Sequence, residues 1–225
     1  MKNLALVAVG SYKEILANNI ELIEKLDNKI SSVYILTDDI EFLQQHTKGT
    51  KHTYFFNEYT RKEFNYFDKL YYTLNVYLNT NISTLYCDVG MLSRLDDYDL
   101  NNETPGVVYP REWGANSKNA NLLRGFGCDA FEEGYWDEFI VHIEKSGIRP
   151  EDVVTIFEQT LLINSDPNLH LVYKHLKSVE DLFINYSTSK YNKYKFVGNG
   201  EGLALAFACM KAGVNISKFK YIKSI

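Results

Sequence analysis

The sequence predicts an α/β fold, in which one domain over residues 1–225 has a mostly parallel central sheet flanked by helices. Continuous apolar runs suit strands that are buried on both faces. Stretches with apolar residues at helical spacing lie between these runs, as in a parallel strand–helix–strand unit. The chain has 225 residues, of which 45% are hydrophobic, and this is enough for one sizeable core.

The first part of the chain shows this alternation directly. The run "LALVAV" at 4–9 predicts a central strand, and the spaced apolar residues of "EILANNIELIEKL" predict a helix after it. "SSVYILTDD" predicts a second strand, and "KHTYFFN" predicts a third, less central one. This order at short spacing indicates that the first two strands run parallel.

The later elements continue the pattern. A stripe of apolar residues predicts a long helix over Arg61–Leu78, and strands follow in "STLYCDV" and "GVVYP". A helix of small residues is predicted over Leu203–Ala212, and Gly213 is expected to end it. No internal repeat or linker divides the chain, which favours a single domain.

The composition restricts the class of partner. The chain carries 24 Lys and Arg against 29 Asp and Glu, a net charge of −5, which disfavours nucleic acid as a partner. The N-terminal apolar run is cut at Gly10, too short for a membrane span, so we expect no transmembrane segment. The three cysteines are scattered without a CxxC pair, as is typical of reduced thiols. We therefore expect a cytoplasmic protein.

Polar residues follow three of the predicted strands. Ligands of open α/β sheets bind beyond the carboxyl ends of the strands, so these residues are candidates for one ligand site. They are Gly10, Ser11 and Tyr12 after the first strand, Thr37, Asp38 and Asp39 after the second, and Asp88 and Gly90 after "STLYCDV". Asp and Gly are also common in turns, and an Asp pair can cap a following helix, so a structural role is the alternative.

In order and placement, these segments resemble those of a GT-A-type glycosyltransferase, a nucleotide-diphospho-sugar transferase. The resemblance covers most of the chain. It is carried by "LVAVGSYKE", "VYILTDD", "FDKLYYTLNVYLN", "TLYCDVG", "IFEQTLLI" and "GNGEG". Asp88-Val89-Gly90 stands where such enzymes carry Asp-x-Asp, so the motif is degenerate and Gly90 replaces its second carboxylate.

The resemblance implies a role for each strand end. The turn after the first strand would receive the nucleotide base, with Tyr12 as a stacking face, and the end of the second strand would contact base or ribose. Lys69, on the helix before the degenerate motif, would reach the diphosphate or the sugar. Asp88 would hold the ribose or a metal ion. A surface tyrosine and a solvated lysine are the ordinary alternatives.

The degenerate motif makes any metal ion a weak or dispensable cofactor. Mg²⁺ or Mn²⁺ on a nucleotide diphosphate usually takes one or two carboxylates with phosphate oxygens and water, and Asp88 alone would supply the minimum number of protein ligands. Glu201 is a candidate for a second oxygen. Alternatively, Lys190, Lys193 and Lys195 could neutralise the diphosphate from a closing loop, although an exposed surface loop is the simpler interpretation.

A glycine-rich turn precedes the last predicted helix. It consists of Gly198, Asn199, Gly200 and Glu201. Its N–H groups at a helix start could form an anion nest for the phosphates of the donor. A tight glycine turn before a helix is the alternative.

Two acidic residues are the catalytic candidates. On a helix predicted over 151–163, Glu158 lies at four-residue spacing from Val154 and Leu162, and a carboxylate beside an apolar face is costly to bury unless it is paired or used. In GT-A enzymes an acidic residue in this late region orients the acceptor hydroxyl or acts as base. The resemblance gives this role to Glu158, or to Asp129 in "GFGCDAF". An ion pair is the alternative for each.

These features predict a glycosyltransferase. By the resemblance, it moves a sugar from a nucleotide-sugar donor, a UDP-sugar, to a hydroxyl of a glycan or another acceptor. A catalytically degenerate nucleotide-sugar-binding protein is one alternative, and Gly90 favours it. A sugar-1-phosphate nucleotidyltransferase is another, although "GSYKEIL" lacks the glycine-rich basic loop of that class.

Overall fold

The computed structural model describes residues 1–26, 28–62, 64–110, 141, 143–149, 152, 156, 159–188 and 201–219, with the backbone only at 181–188. The chain divides into two compact units. The first unit takes residues 1–110, 159–165 and 217–225, and the second takes 111–158 and 166–216. One domain over the whole chain stays a prediction.

In the part of the chain that the structure describes, seven strands form one sheet. They are β1 (Lys2–Ala8), β2 (Ile30–Thr37), β3 (Thr53–Glu58), β4 (Thr84–Cys87), β5 (Gly106–Tyr109), β6 (Thr160–Asn164) and β7 (Ile216–Lys218). Their order across the sheet is β3-β2-β1-β4-β6-β5-β7. Helices pack against this sheet, so the predicted α/β class is confirmed.

The sheet is mixed. β1 pairs in parallel with both β2 and β4, and β2 pairs in parallel with β3. β6 runs antiparallel to both of its paired neighbours, β4 and β5. The predicted parallel arrangement is therefore correct for β1 to β4, and it is wrong where β6 is inserted.

Burial of both faces explains the continuous apolar run of the central strand, β1. Leu4, Leu6 and Ala8 alternate along β1 and join the main core cluster, while Ala5 and Val7 are buried on the opposite face. Because both faces of β1 are covered, nearly every position in it must be apolar.

The described helices of the first unit are short, apart from one. They are α1 (Tyr12–Ala17), α2 (Ile20–Glu24), α3 (Ile40–Thr47), α4 (Phe67–Thr80) and a 3₁₀ helix (Val89–Asp97). The single helix predicted from "EILANNIELIEKL" is divided between α1 and α2 at two asparagines. The side chain of Asn19 donates a hydrogen bond to the carbonyl of Ile15 at 2.7 Å, a local bond of the kind that competes with helix continuation.

The helix predicted over Arg61–Leu78 begins six residues later, at Phe67. The side chain of Asn65 accepts a hydrogen bond from the N–H of Phe67 at 3.0 Å, which fixes the start of α4. Phe64, which falls within the predicted range, therefore precedes the helix and is exposed.

The helix predicted over 151–163 is wrong at its end. Residues Thr160–Asn164 form β6, which is buried along its whole length between β4 and β5. A short continuous apolar run such as "TLLIN" fits a doubly buried strand as well as a helix. Leu162 therefore pairs with Leu85 across the sheet, so a helical spacing from Glu158 does not hold.

The second unit contains α5 (Leu169–Thr188) and α6 (Glu201–Ala212), which pack on each other. Helix α6 is buried on nearly all sides, and Gly213 follows it with a φ of +71°, as predicted from the sequence. No helix in the described part of the chain combines the length and the apolarity that a bilayer crossing needs. Cys87 and Cys209 are buried free thiols, Cys128 lies outside the described residues, and the cytoplasmic location stays a prediction.

Candidate functional site

A cavity of about 310 Å³ opens at the carboxyl ends of β1 and β4, within the first unit. The chain builds β2 and β3 on one side of β1 and then crosses to form β4 on the other side. The cavity therefore lies where the strand order reverses, which is the usual ligand position in an open α/β sheet. Its described lining residues are Val7, Val9, Gly10, Ser11, Tyr12, Phe64, Tyr66, Lys69, Tyr86, Asp88 and Val89.

The turn after β1 forms one wall of this cavity. Gly10 has a φ of +62°, a left-handed conformation that favours glycine. The chain then enters α1, whose first residue, Tyr12, is 51% exposed at the cavity. The predicted grouping of Gly10, Ser11 and Tyr12 around one crevice agrees with this arrangement.

Side chains at the end of β2 hold the turn after β1 in place. The N–H of Gly10 donates a hydrogen bond to Asp38 Oδ2 at 3.1 Å. Lys13 Nζ lies 3.8 Å from Asp38 Oδ1 and 3.4 Å from Asp39 Oδ2. Asp39 Oδ1 also accepts from the N–H of Phe42 at 3.1 Å and thereby caps α3, while the buried Thr37 accepts from the N–H of Asp39 at 3.2 Å.

These contacts locate the residues predicted to touch base or ribose. Thr37, Asp38 and Asp39 are not among the described residues that line the cavity. The capping role considered as the alternative is confirmed for Asp39. Asp38 acts on the cavity through Gly10, so a contribution to ligand binding would be indirect.

The start of α4 forms the second wall. Phe64 and Tyr66 pack edge to face, with ring centroids 5.1 Å apart, and both line the cavity. Both rings are partly exposed, at 37% and 43%. Sequence reasoning missed them as site residues, although the aromatic cluster "FNYF" just before Lys69 was a usable signal.

A hydrogen-bonded network holds this wall in place. The hydroxyl of Tyr59 donates to Asp68 Oδ2 at 2.9 Å and accepts from the N–H of Asn65 at 3.1 Å. Arg61 lies 3.3 Å from Asp68 Oδ1. Because Tyr59 and Asp68 flank the segment that carries Phe64 and Tyr66, their bond fixes the position of both rings.

Lys69 and Asp88 form the charged part of the cavity. Lys69 lies in the first turn of α4 with a side chain only 5% exposed, and its Nζ lies 4.0 Å from Asp88 Oδ1. The same ammonium lies 5.9 Å from the centre of the Tyr66 ring, within the range of a cation–π contact. Of the described residues that line the cavity, Lys69 is the one basic residue and Asp88 the one acidic residue.

Asp88 is held from several directions. Its N–H donates to the carbonyl of Gln159 at 2.7 Å, and its carboxylate accepts a short hydrogen bond from the hydroxyl of Tyr86. Burial raises the pKa of Asp88 above its usual range, while Lys69 and Tyr86 act in the opposite direction. The carboxylate is therefore preorganised and still 30% exposed toward the cavity.

The described donors do not fit a divalent cation held by protein carboxylates. Gly90 offers no side chain, and the part of the chain that the structure describes contains no group of three or more His, Cys, Asp and Glu side chains. Asp96, which follows in the same segment, is paired with Lys29 at 3.5 Å. Asp88 supplies one carboxylate, which is already bonded to Tyr86 and close to Lys69, so Mg²⁺ or Mn²⁺ there would depend on the oxygens of a bound diphosphate and on water for its other ligands.

The remaining candidates are not among the described residues that line the cavity. Glu201 is the first residue of α6 in the second unit and is 1% exposed. The other predicted residues fall outside the described part of the chain: Asp129, Glu158, Lys190, Lys193, Lys195, Gly198, Asn199 and Gly200. Their predicted roles stay predictions.

No protein-family model matches the chain, and neither does any curated protein sequence. The cavity at the carboxyl ends of β1 and β4 is the candidate ligand site of the chain. Its rim carries the partly exposed rings of Tyr12, Phe64 and Tyr66, and its charged groups are a buried ammonium and a partly buried carboxylate. Such a site suits a ligand that joins a flat ring to hydroxyl and anionic groups.

Proposed function

We propose that the protein is a glycosyltransferase that takes its sugar from a UDP-sugar and passes it to an acceptor hydroxyl. The observation that carries the proposal is that Tyr12, Lys69 and Asp88, far apart in the sequence, line one cavity at the switch point of the sheet. By the resemblance to GT-A enzymes, Tyr12 would contact the base, Lys69 the diphosphate or the sugar, and Asp88 the ribose or a metal ion. A GT-A-like arrangement is part of the proposal.

The dimensions and chemistry of the cavity support this donor. About 310 Å³ falls within the range of small-molecule sites. Tyr12 offers an exposed face on which a base can stack, and Asp88 offers a preorganised acceptor for ribose hydroxyls. Lys69 provides a positive charge for the diphosphate.

Transfer on this site is a substitution at the anomeric carbon. The bond from that carbon to the diphosphate oxygen breaks, and its electron pair leaves with UDP. The acceptor oxygen bonds to the anomeric carbon and loses its proton to a carboxylate, for which Glu158 and Asp129 are the candidates from the sequence. Positioning of the two substrates and stabilisation of the departing diphosphate would supply most of the rate enhancement.

A second candidate is a protein that binds nucleotide-sugars without turnover. Gly90 favours it, because the carboxylate that normally completes the Asp-x-Asp motif is replaced by an exposed position without a side chain. This candidate requires the same cavity and the same donor, so it differs from the first only in chemistry.

Two measurements on the purified chain separate these candidates. UDP is titrated by calorimetry, and UDP release is followed with a panel of UDP-sugars, with and without Mn²⁺. Saturable UDP binding together with UDP release supports the transferase, and binding without release supports the second candidate. The absence of UDP binding at millimolar nucleotide rules out both.

A further inference from the structure

The neighbour of Asp88 in the cavity is a buried cation. The side chain of Lys69 is 5% exposed and its Nζ lies 4.0 Å from Asp88 Oδ1. Burying an ammonium is costly unless it is paired, and the carboxylate of Asp88 offsets this cost for Lys69. Lys69 lies in the first turn of α4, whose start is fixed by Asn65 and by the bond of Asp68 to Tyr59.

The same carboxylate is a poor ligand for a divalent ion. Gly90 contributes no oxygen, and Asp88 Oδ1 already accepts a hydrogen bond from the hydroxyl of Tyr86. A divalent ion on Asp88 would also be repelled by the neighbouring ammonium, since like charges at short range raise the energy of a partly buried site. Among the described residues, the surroundings of Asp88 therefore favour the ammonium of Lys69 as its positive partner over a divalent metal ion.

We infer that Lys69 takes the place of a divalent cation, so that, among the described residues, its ammonium supplies the positive charge facing the diphosphate of the bound donor. The inference rests on the proposed function, because it concerns the same cavity and ligand. Asp88 orients Lys69 and shares it with the incoming phosphates, and Tyr86 holds Asp88 in position. Lysine suits this role because it is a compact charge that binds phosphate without bidentate geometry.

The inference predicts how nucleotide affinity responds to metal. In the wild-type chain, the affinity for UDP in EDTA should equal that in Mn²⁺ within about threefold. Lys69→Met should weaken UDP binding at least tenfold, about the loss expected for one charge-assisted interaction, and leave uridine binding unchanged. Lys69→Arg, which keeps the charge, should retain more of the UDP affinity than Lys69→Met.

The experiment is calorimetric titration of the whole chain with UDP and, separately, with uridine. Lys48→Met is the matched control, since Lys48 is exposed and is not among the described lining residues. Circular dichroism verifies that each variant is folded. If Lys69→Met does not fold, the comparison of UDP and uridine binding is made on Lys69→Arg.

The outcomes separate this inference from the proposed function. If UDP binds the wild type only when Mn²⁺ is present, or if Lys69→Met weakens uridine as much as UDP, the inference is wrong while the donor assignment stands. If neither UDP nor uridine binds the wild type under either condition, the proposed function fails, and the inference that rests on it fails too.

Discussion

Lys69 and Asp88 form an ion pair, with Nζ and Oδ1 4.0 Å apart, at the point where the strand order of the sheet reverses. One partner comes from the first turn of α4 and the other directly follows β4. Because β4 is parallel to β1, the pair lies beside the turn that presents Tyr12.

Replacing Tyr12 should weaken the binding of the base. Tyr12→Ala removes an exposed aromatic face of the cavity, and the loss of one base–aromatic stack is worth about 1–3 kcal/mol. We expect Tyr12→Phe to retain the affinity for UDP and Tyr12→Ala to lower it at least about fivefold, measured by calorimetry. Phe55→Ala is the control, because Phe55 is 44% exposed and is not among the described lining residues; an equal loss in this variant contradicts the prediction.

The hydroxyl of Tyr59 should control the order of the second wall. Tyr59→Phe leaves Asp68 and the N–H of Asn65 without this shared partner, at a cost of about 1–3 kcal/mol. Hydrogen exchange followed by mass spectrometry should show faster exchange at 60–66, and UDP affinity should fall. Tyr72→Phe, which removes an exposed hydrogen bond to Asn57, should change neither. Unchanged exchange at 60–66 in Tyr59→Phe would show that the network does not hold this wall.

Asp39 should act on stability and leave ligand affinity unchanged. Asp39→Ala removes the acceptor that caps α3 and should lower the free energy of unfolding by about 1 kcal/mol. Asp39→Asn keeps a capping oxygen and should be close to wild type in thermal unfolding. Neither variant should change UDP affinity. A tenfold loss of affinity in Asp39→Asn would restore the direct contact with base or ribose that the sequence predicts.

The carboxylate of Asp88 should make stability depend on pH with a definite sign. Since its pKa in the folded protein is raised above the ordinary value of about 3.9, the folded state keeps a proton that the unfolded state has lost. Its contribution to stability therefore falls as pH rises from about 3.9 through the folded pKa. Urea unfolding of wild type and Asp88→Asn between about pH 4 and pH 7 should show the wild type losing stability relative to the variant. A relative gain with rising pH would be opposite to the expected sign.

Replacing Gly90 by aspartate should restore the missing carboxylate without loss of stability. A Cβ at this position would meet no atom within 4 Å, so Gly90→Asp should change the free energy of unfolding by less than about 0.5 kcal/mol. With two carboxylates present, Mn²⁺ should strengthen UDP binding to this variant. Gly90→Asn, similar in size but uncharged, should show a smaller response. A variant that folds normally and ignores Mn²⁺ would show that the second carboxylate does not create a metal site.

The sequence predicts the part of the fold in which each element follows a clear period. The apolar runs of β1 and of the strand before Asp88 both appear as strands, because burial on both faces requires continuous apolar residues. The strand that ends in Thr37 also appears, with burial that alternates along most of its length. β6 was predicted as the end of a helix, because five apolar or small polar residues carry no period that separates the two structures. Its strand character depends on β4 and β5, which are distant in sequence.

The site residues also divide into those that the order of the elements indicates and those whose position depends on contacts between distant segments. Tyr12 and Asp88 can be selected because they follow strands of the sheet, whereas Lys69 is selected only through the resemblance to GT-A enzymes. Phe64 and Tyr66 were missed as site residues, because the apolar stripe placed Phe64 within a helix and the break before Phe67 depends on Asn65, Tyr59 and Asp68. The ion pair of Lys69 with Asp88 was also not predictable from spacing, since it depends on how α4 packs beside β4.

The most direct test of the account is a crystal structure of the chain with UDP. We expect the uracil ring to lie against Tyr12 in the cavity between β1 and β4, and the diphosphate to lie beside the ammonium of Lys69 in the absence of added metal. UDP bound at another surface, or a cavity without nucleotide at saturating UDP, would contradict it.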